Sequence, residues 1–282
     1  MIRPVADVSD SELDLRVSTT DCKESTMQIY PAIDIRGGKC VRLRQGDYND
    51  ETVFGDDPVE MALRWQSEGA ECLHLVDLDG AKAGHPVNHD VVRRITESTG
   101  LPCQMGGGIR NEDSIRLAIE ELGLTRVIIG TRALREPDWF ADVCHQFPDQ
   151  LALGLDAKES MVATDGWLQV SEVSVMELAK KFVDVPLSAV IYTNIANDGM
   201  MQGIDRDTLD DMEALANLGL PIIASGGVAS MDDIRRLKEI ADRTPNLIGA
   251  ITGRAIYEGT VDVAEACRLI SEGRASAGQT DG

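Results

Sequence analysis

Short apolar runs alternate along the chain with longer stretches whose apolar residues recur at helical spacing. The runs fall at 27–34, 72–78, 102–105, 125–129, 151–156, 187–195, 221–225 and 247–252. Most end in an acid or are followed directly by an acid or a glycine. A buried parallel strand reads this way: continuous apolar residues, then polar or glycine residues where the chain leaves the core. Helices are predicted over 58–69, 88–98, 111–122, 137–145, 172–183, 206–218, 231–242 and 261–271. Pro58 and Pro137 stand in first turns, where a missing N–H costs nothing, and Asn111 is placed to cap. Two polar stretches are longer than a connection needs. Residues 35–57 read as a loop, and Lys158 to Trp167 as a small hairpin or mobile loop.

Eight strands, each followed by a helix, require right-handed crossovers and a sheet covered on both faces. An open doubly wound sheet and a closed barrel both satisfy this. The count and the length favour an α/β single (β/α)8 TIM barrel over residues 27–271. Residues 1–26 hold six acids and three bases and read as a flexible tail. A docked segment with Val5, Leu13, Leu15 and Val17 is the alternative. Residues 272–282 read as a frayed end.

The strand ends repeat. Asp34 and Asp156, Asp79-Gly80 and Asp198-Gly199, Gly107-Gly108 and Gly226-Gly227, and Gly130-Thr131 and Gly253-Arg254 all recur at an offset of about 120 residues, in the same order. The barrel is therefore expected to be two half-barrels related by twofold internal symmetry, with matching sites on one rim.

Composition narrows the partners. A net charge of −21 disfavours nucleic acid and anionic membranes. No apolar run is long enough to span a bilayer. Six cysteines without a CxxC pair suggest reduced thiols and a cytoplasmic setting. His85 and His89 are four apart but flank Pro86 with no other strong ligand near, so no metal site is expected.

At the strand ends, glycines let the backbone approach a bulky anion closely, and neighbouring loop amides with a helix start can cradle a phosphate. One cradle per half, at Gly107, Gly108, Gly130 and Thr131 and at Gly226, Gly227, Gly253 and Arg254, predicts a small substrate with a phosphate at each end. Asp34 and Asp156 would flank its middle from opposite sides. Two carboxylates in different environments divide acid and base roles when their pKa values are pushed apart. The plainer reading makes each a loop cap or an ion pair with Lys39 or Lys158. Thr193, Asp198 and Gly199 close the sixth strand beside the second acid. Arg42 and Arg44 offer an anion clamp on the first loop, or are simply solvated. Trp167 can stack on a planar heterocycle or close its hairpin.

These residues carry a resemblance. Pro-Ala-Ile-Asp-Ile (31–35), Val-Arg-Leu-Arg-Gln-Gly-Asp-Tyr (41–48), Leu-His-Leu-Val-Asp-Leu-Asp-Gly-Ala-Lys (73–82) and Gln-Met-Gly-Gly-Gly-Ile-Arg (104–110) mark the first half. Leu-Asp-Ala-Lys (155–158), Asp-Gly-Trp (165–167), Thr-Asn-Ile-Ala-Asn-Asp-Gly (193–199), Ala-Ser-Gly-Gly-Val (224–228) and Thr-Gly-Arg-Ala (252–255) mark the second. From Met27 to about Ile270 the chain resembles the phosphoribosylformimino-5-aminoimidazole carboxamide ribotide isomerases of histidine biosynthesis. The resemblance implies an Amadori rearrangement of an aminoaldose to an aminoketose, without metal or cofactor. It assigns Asp156 as general acid for ring opening, Asp34 as general base at the sugar C2, and Thr193 as a helper on the acid side. Arg42 and Trp167 would hold the aminoimidazole portion. Met200 stands where the family often has threonine or serine. The sister cyclase shares the fold and both aspartates, but usually has Cys-Leu-Asp where this chain has Ala32-Ile33-Asp34. A dual-substrate isomerase needs an arginine in the fifth loop, and 157–166 has none. A non-catalytic binder of bis-phosphorylated metabolites is a further alternative. A monomer is expected.

Overall fold

The computed structural model describes residues 27–164, 167 and 169–277, so the predicted tail 1–26 lies outside the described residues. Eight strands run parallel: β1 (Gln28–Arg36), β2 (Leu73–Asp77), β3 (Cys103–Gly106), β4 (Arg126–Ile129), β5 (Leu151–Lys158), β6 (Ala189–Asn194), β7 (Ile222–Ser225) and β8 (Leu247–Thr252). Each pairs with the next, and β8 returns to β1 with Gln28 opposite Gly249 and Pro31 opposite Thr252. The sheet is closed, as a (β/α)8 barrel.

Closure separates two apolar layers. Inside the ring, Tyr30, Ala32, Ala152, Ala189, Ile191, Ile223 and Ile251 fill the lumen. Outside it, the larger core packs strand residues such as Ile33, Leu75, Met105, Val127 and Leu153 against helix residues such as Trp65, Ile95, Phe140, Leu215 and Leu237. The alternation explains why the strands read as unbroken apolar runs: both faces are buried. The lumen carries polar side chains in two places, at the carboxyl ends of the strands and lower down, where His74, Gln104 and Arg126 are level with one another.

Helices begin where local chemistry caps them. Asp57 accepts from the Val59 N–H ahead of Pro58–Ser67, and Asp205 accepts from Thr208 ahead of Arg206–Asn217. Asn111 caps Glu112–Arg116, and the same helical rod continues as a π turn over Leu117–Glu121. The last helix, Val263–Ala277, runs six residues past its predicted end at 271.

Two regions differ from the sequence reading. The stretch 35–57 is a hairpin, Lys39–Arg44 against Asp47–Gly55, attached to β1 with Asp34 opposite Val41. Its second strand is largely exposed, so no apolar alternation announced it. Likewise Met161–Thr164 pairs with Gln169–Ser174, where a helix from 172 was predicted. The helix begins at Val175 behind a Ser174–Glu177 capping box and passes into a short 3-10 turn at Lys180–Phe182.

Candidate active site

Both acids lie at the carboxyl ends of their strands. Asp34 on β1 is level with Val76 of β2, and Asp156 on β5 is level with Thr193 of β6. They open into one cavity of about 1310 Å³ at that rim. Asp34, Arg42, Gly107, Gly108, Gly130, Thr131, Asp156, Trp167, Thr193, Asp198, Gly199, Gly226, Gly227, Gly253 and Arg254 all line it. The residues nominated from the sequence are thus brought together on one wall, drawn from every part of the chain.

The two carboxylates have different partners. Asp34 Oδ1 accepts from Arg42 Nη1 at 2.7 Å, and both side chains are buried. Burial pushes the Asp34 carboxyl up to about 6, the Arg42 charge opposing this and the Asp198 charge adding to it. Asp156 Oδ2 accepts from the Trp167 indole Nε1 at 2.7 Å. Burial pushes Asp156 up to about 6 as well, opposed by hydrogen bonds from Trp167 and the Thr193 hydroxyl and reinforced by Asp198. Asp198 itself is raised by burial, with Arg42 opposing. Three carboxyl groups therefore share one field, and their titrations are coupled.

Arg42 is not the solvated loop arginine allowed for above. It sits on the strand Lys39–Arg44 and is 9% exposed. Burial pulls its pKa down, but Asp34, Asp198 and Tyr257 more than offset this. Gly253 lies against its guanidinium, so closely that a Cβ there would collide with Nη2. Arg44 points away, with Nε 3.5 Å from Met200 Sδ. Lys39 pairs with Asp56 at 2.7 Å, away from Asp34.

The glycine loops match between halves. Gly130 has φ −97 and ψ −104, and Gly253 has φ −104 and ψ −108. Gly107 (φ 106) and Gly226 (φ 74) fold back onto the ends of β2 and β6, where a Cβ would strike the backbone of Asp77 and of Asn194. Only glycine fits a left-handed conformation in such close approach. One predicted pairing differs. Asp198 lines the cavity, whereas Asp79 turns aside to accept from the Gly37 N–H at 2.7 Å and from Asn88.

The surroundings of the two loops are unequal. Beside Gly107 and Gly130, the cavity wall includes Lys82, Arg110 and Arg132. Arg110 Nη2 donates to Ala81 O at 3.1 Å, and Arg132 stacks on Trp139, 3.6 Å from the ring centroid. Beside Gly226 and Gly253 stands Arg254, which donates to Gly199 O at 3.2 Å and pairs with Glu258.

The hairpins meet over the mouth. Gly46, at the tip of the first, lies so close to Trp167 that a Cβ would sit 2.8 Å from the indole. Gln45 Nε2 donates to Ala196 O at 2.9 Å. Gln45 and Trp167 both have positive φ, 47° and 75°.

His74, Lys82, Gln104 and Arg110 stand within two of the motifs quoted above, but no spacing marks any of them as a site residue. Arg132 follows Thr131 and was passed over. Among the described residues no group of three His, Cys, Asp or Glu side chains is placed to hold a metal ion.

Comparison with known proteins agrees with this geometry. The family described as histidine biosynthesis protein matches residues 28–262. A Marinobacter nauticus protein named 1-(5-phosphoribosyl)-5-((5-phosphoribosylamino)methylideneamino)imidazole-4-carboxamide isomerase is 54% identical over 245 residues, covering 85% of this chain and 96% of its own. Proteins of the same name from Rhodopirellula baltica, 48% identical over 258 residues (90% of this chain, 99% of that one), and from Hahella chejuensis, 54% identical over 245 residues (85% and 97%), are also similar. With its cavity at the carboxyl rim and a family match that spans the barrel from β1 to the start of the last helix, the chain belongs to the histidine biosynthesis protein family.

Proposed function

We propose that this protein is an aldose–ketose isomerase of histidine biosynthesis, acting on the bis-phosphorylated aminoaldose that names its relatives. The observation that carries the reading is the pair of carboxyls, Asp34 buried and Asp156 half-buried, one from each half-barrel, facing one cavity between two glycine loops of matching backbone. A molecule with a phosphate at each end fits that arrangement lengthwise, its ribosyl carbons beside the acids.

The partners assign the roles. Asp34 contacts a permanent cation and is the carboxylate better kept ionised, which suits a base taking the C2 proton. Asp156 is held by neutral donors, and burial favours its protonated form, which suits an acid delivering a proton to the ribose ring oxygen. Ring opening by Asp156 gives a Schiff base. Loss of the C2 proton to Asp34 gives an enolamine, which collapses to the ketone. Oxidation at C2 balances reduction at C1 within one molecule, so no external electrons move. Thr193 orients Asp156, and Arg42 and Trp167 hold the imidazole end while gripping the two acids. Gly107, Gly108, Gly130 and Thr131 take one phosphate, and Gly199, Gly226, Gly227, Gly253 and Arg254 take the other, with Asp198 between the acids.

The reading also takes the protein to be a cytoplasmic monomer. All five cysteines among the described residues are unpaired, and no described helix is long and apolar enough to cross a membrane. The test is purified protein with the aminoaldose, followed by absorbance after coupling to the cyclase. Turnover is expected. Binding of substrate without conversion would reduce the protein to a metabolite binder.

A further inference from the structure

Beneath the two acids the barrel lumen holds a polar chain that acid–base exchange does not use. His74, Gln104 and Arg126 come from β2, β3 and β4 and are level with one another: His74 is the register partner of Gln104, and Gln104 of Arg126. Arg126 Nη1 donates to Gln104 Oε1 at 2.8 Å, and its Nε donates to Ser188 Oγ at 2.9 Å. A guanidinium can only donate, so the Gln104 atom facing it is the oxygen. The amide nitrogen is left for His74 and lies 3.1 Å from its Nδ1.

An amide NH2 also only donates, so Nδ1 must be the bare acceptor. In a neutral imidazole the proton then sits on Nε2. Burial keeps the ring neutral, taking its pKa down to about 3, with the Arg42 charge adding to the effect. His74 is 9% exposed and that remnant faces the cavity, whose wall it forms. Among the described residues Gln104 is its hydrogen-bond partner, and Nε2 has none. Val76, two residues on and on the same strand face, is level with Asp34. His74 therefore lies one pleat below the acid of the first half.

We infer that Arg126 and Gln104 are positioning residues that fix His74 as an Nε2–H donor in the cavity floor, and that this N–H hydrogen-bonds the substrate oxygen on the carbon that Asp34 deprotonates. The inference rests on the isomerase reading. As the enolamine collapses to the ketone, the C2 hydroxyl gives up its proton while C1 takes one, so the oxygen gains electron density, and a fixed neutral donor aimed there stabilises the change without reorganising. A neutral ring that resists protonation does not compete with Asp156 as the acid.

Gln104→Glu tests this directly. The shape is kept, but a carboxylate beside Nδ1 requires a hydrogen there, which leaves Nε2 bare. Nitrogen NMR of the His74 ring is expected to show Nε2–H in the parent and Nδ1–H in the variant. The variant is expected to lose about tenfold in kcat, the worth of one hydrogen bond, with KM and the unfolding midpoint little changed. In a His74→Ala background Gln104→Glu should add nothing. Should the glutamate variant fail to fold, Arg126→Met releases the amide to rotate, and the parent ring spectrum should then give way to a mixture of tautomers. A parent ring with its proton on Nδ1 overturns the inference. So does a variant that switches tautomer and turns over at the parent rate. A parent that converts no aminoaldose sinks the isomerase assignment and the substrate contact together, while the ring spectrum judges the Arg126–Gln104 lock on its own.

Discussion

The first half-barrel holds its acid with a charge, and the second holds its acid with neutral donors. Asp34 leans on Arg42, and Asp156 leans on Trp167 and Thr193. The position on β2 level with Asp34 is Val76, whereas the position on β6 level with Asp156 is Thr193. The loop backbones stay nearly superposable at Gly130 and Gly253, and burial lifts both acids to about 6. Repetition thus preserved the frame and changed the company each acid keeps. An enzyme that needs a base and an acid at once can obtain both from one motif in this way.

The largest effect that tests the contrast is removal of either acid. Asp34→Asn and Asp156→Asn are each expected to lower kcat by at least about 100-fold, the usual contribution of a positioned acid or base. Bound product should be retained, as judged by calorimetry. Near-parent turnover in either variant would take that residue out of the mechanism.

The next effect is on pH profiles, where each half governs a different limb. Arg42→Met removes the cation that holds Asp34 ionised, so its pKa rises and the acidic limb of kcat/KM moves to higher pH. Thr193→Val removes a donor from the Asp156 carboxylate, so its pKa also rises. An acid that stays protonated longer moves the alkaline limb to higher pH. One substitution narrows the working range and the other widens it. Movement of the same limb in both variants would abolish the division of roles.

Stability gives a third contrast. An aspartate raised in the folded state from 3.8 to about 6 binds more protons folded than unfolded between those values, so its contribution to stability falls as pH rises through that window. Asp156→Asn should therefore raise the urea midpoint above pH 6 and leave it nearly unchanged below pH 3.8. Asp34→Asn should gain less, because it leaves the buried Arg42 without its partner.

The matched glycines come next. Gly253→Ala pushes a methyl group into the Arg42 guanidinium, while the same change at Gly130 meets nothing nearer than Gly154 O at 3.9 Å. The first should lower kcat/KM by about tenfold or more, as loss of a buried charge contact implies, and the second by less. The smallest effect is expected at Arg44, which is exposed. Arg44→Ala should stay within about twofold of the parent, as surface substitutions do.

The barrel was legible because both strand faces are buried, which leaves continuous apolar runs ending in chemistry. Asp34, Asp156 and the paired glycines were legible because they repeat. Residues 39–55 and 169–174 were not. The strands Asp47–Gly55 and Gln169–Ser174 are mostly exposed, and Val53, Val170 and Val173 face solvent without any alternation to mark a sheet, while Lys39–Arg44 is buried over only four residues. Arg42 read as a loop residue for the same reason: nothing local announces that Gly253, more than two hundred residues later, will cover it. His74 and Gln104 gave no signal, since a buried polar residue within an apolar run shows its purpose only when its neighbours across the sheet are known. The expected match of Asp79 with Asp198 rested on a shared Asp-Gly pair, and the strand register aligns different residues.

Trp167 occupies left-handed backbone, which a bulky side chain without glycine's freedom resists. Its indole nevertheless reaches Asp156 and meets the tip of the opposite hairpin. Such a residue behaves as a sprung latch: the catch holds only while the carboxylate and the facing glycine engage it. A single side chain thus ties the acid to the lip of the cavity: any change that breaks the indole's bond to Asp156 also frees the strained backbone that carries it.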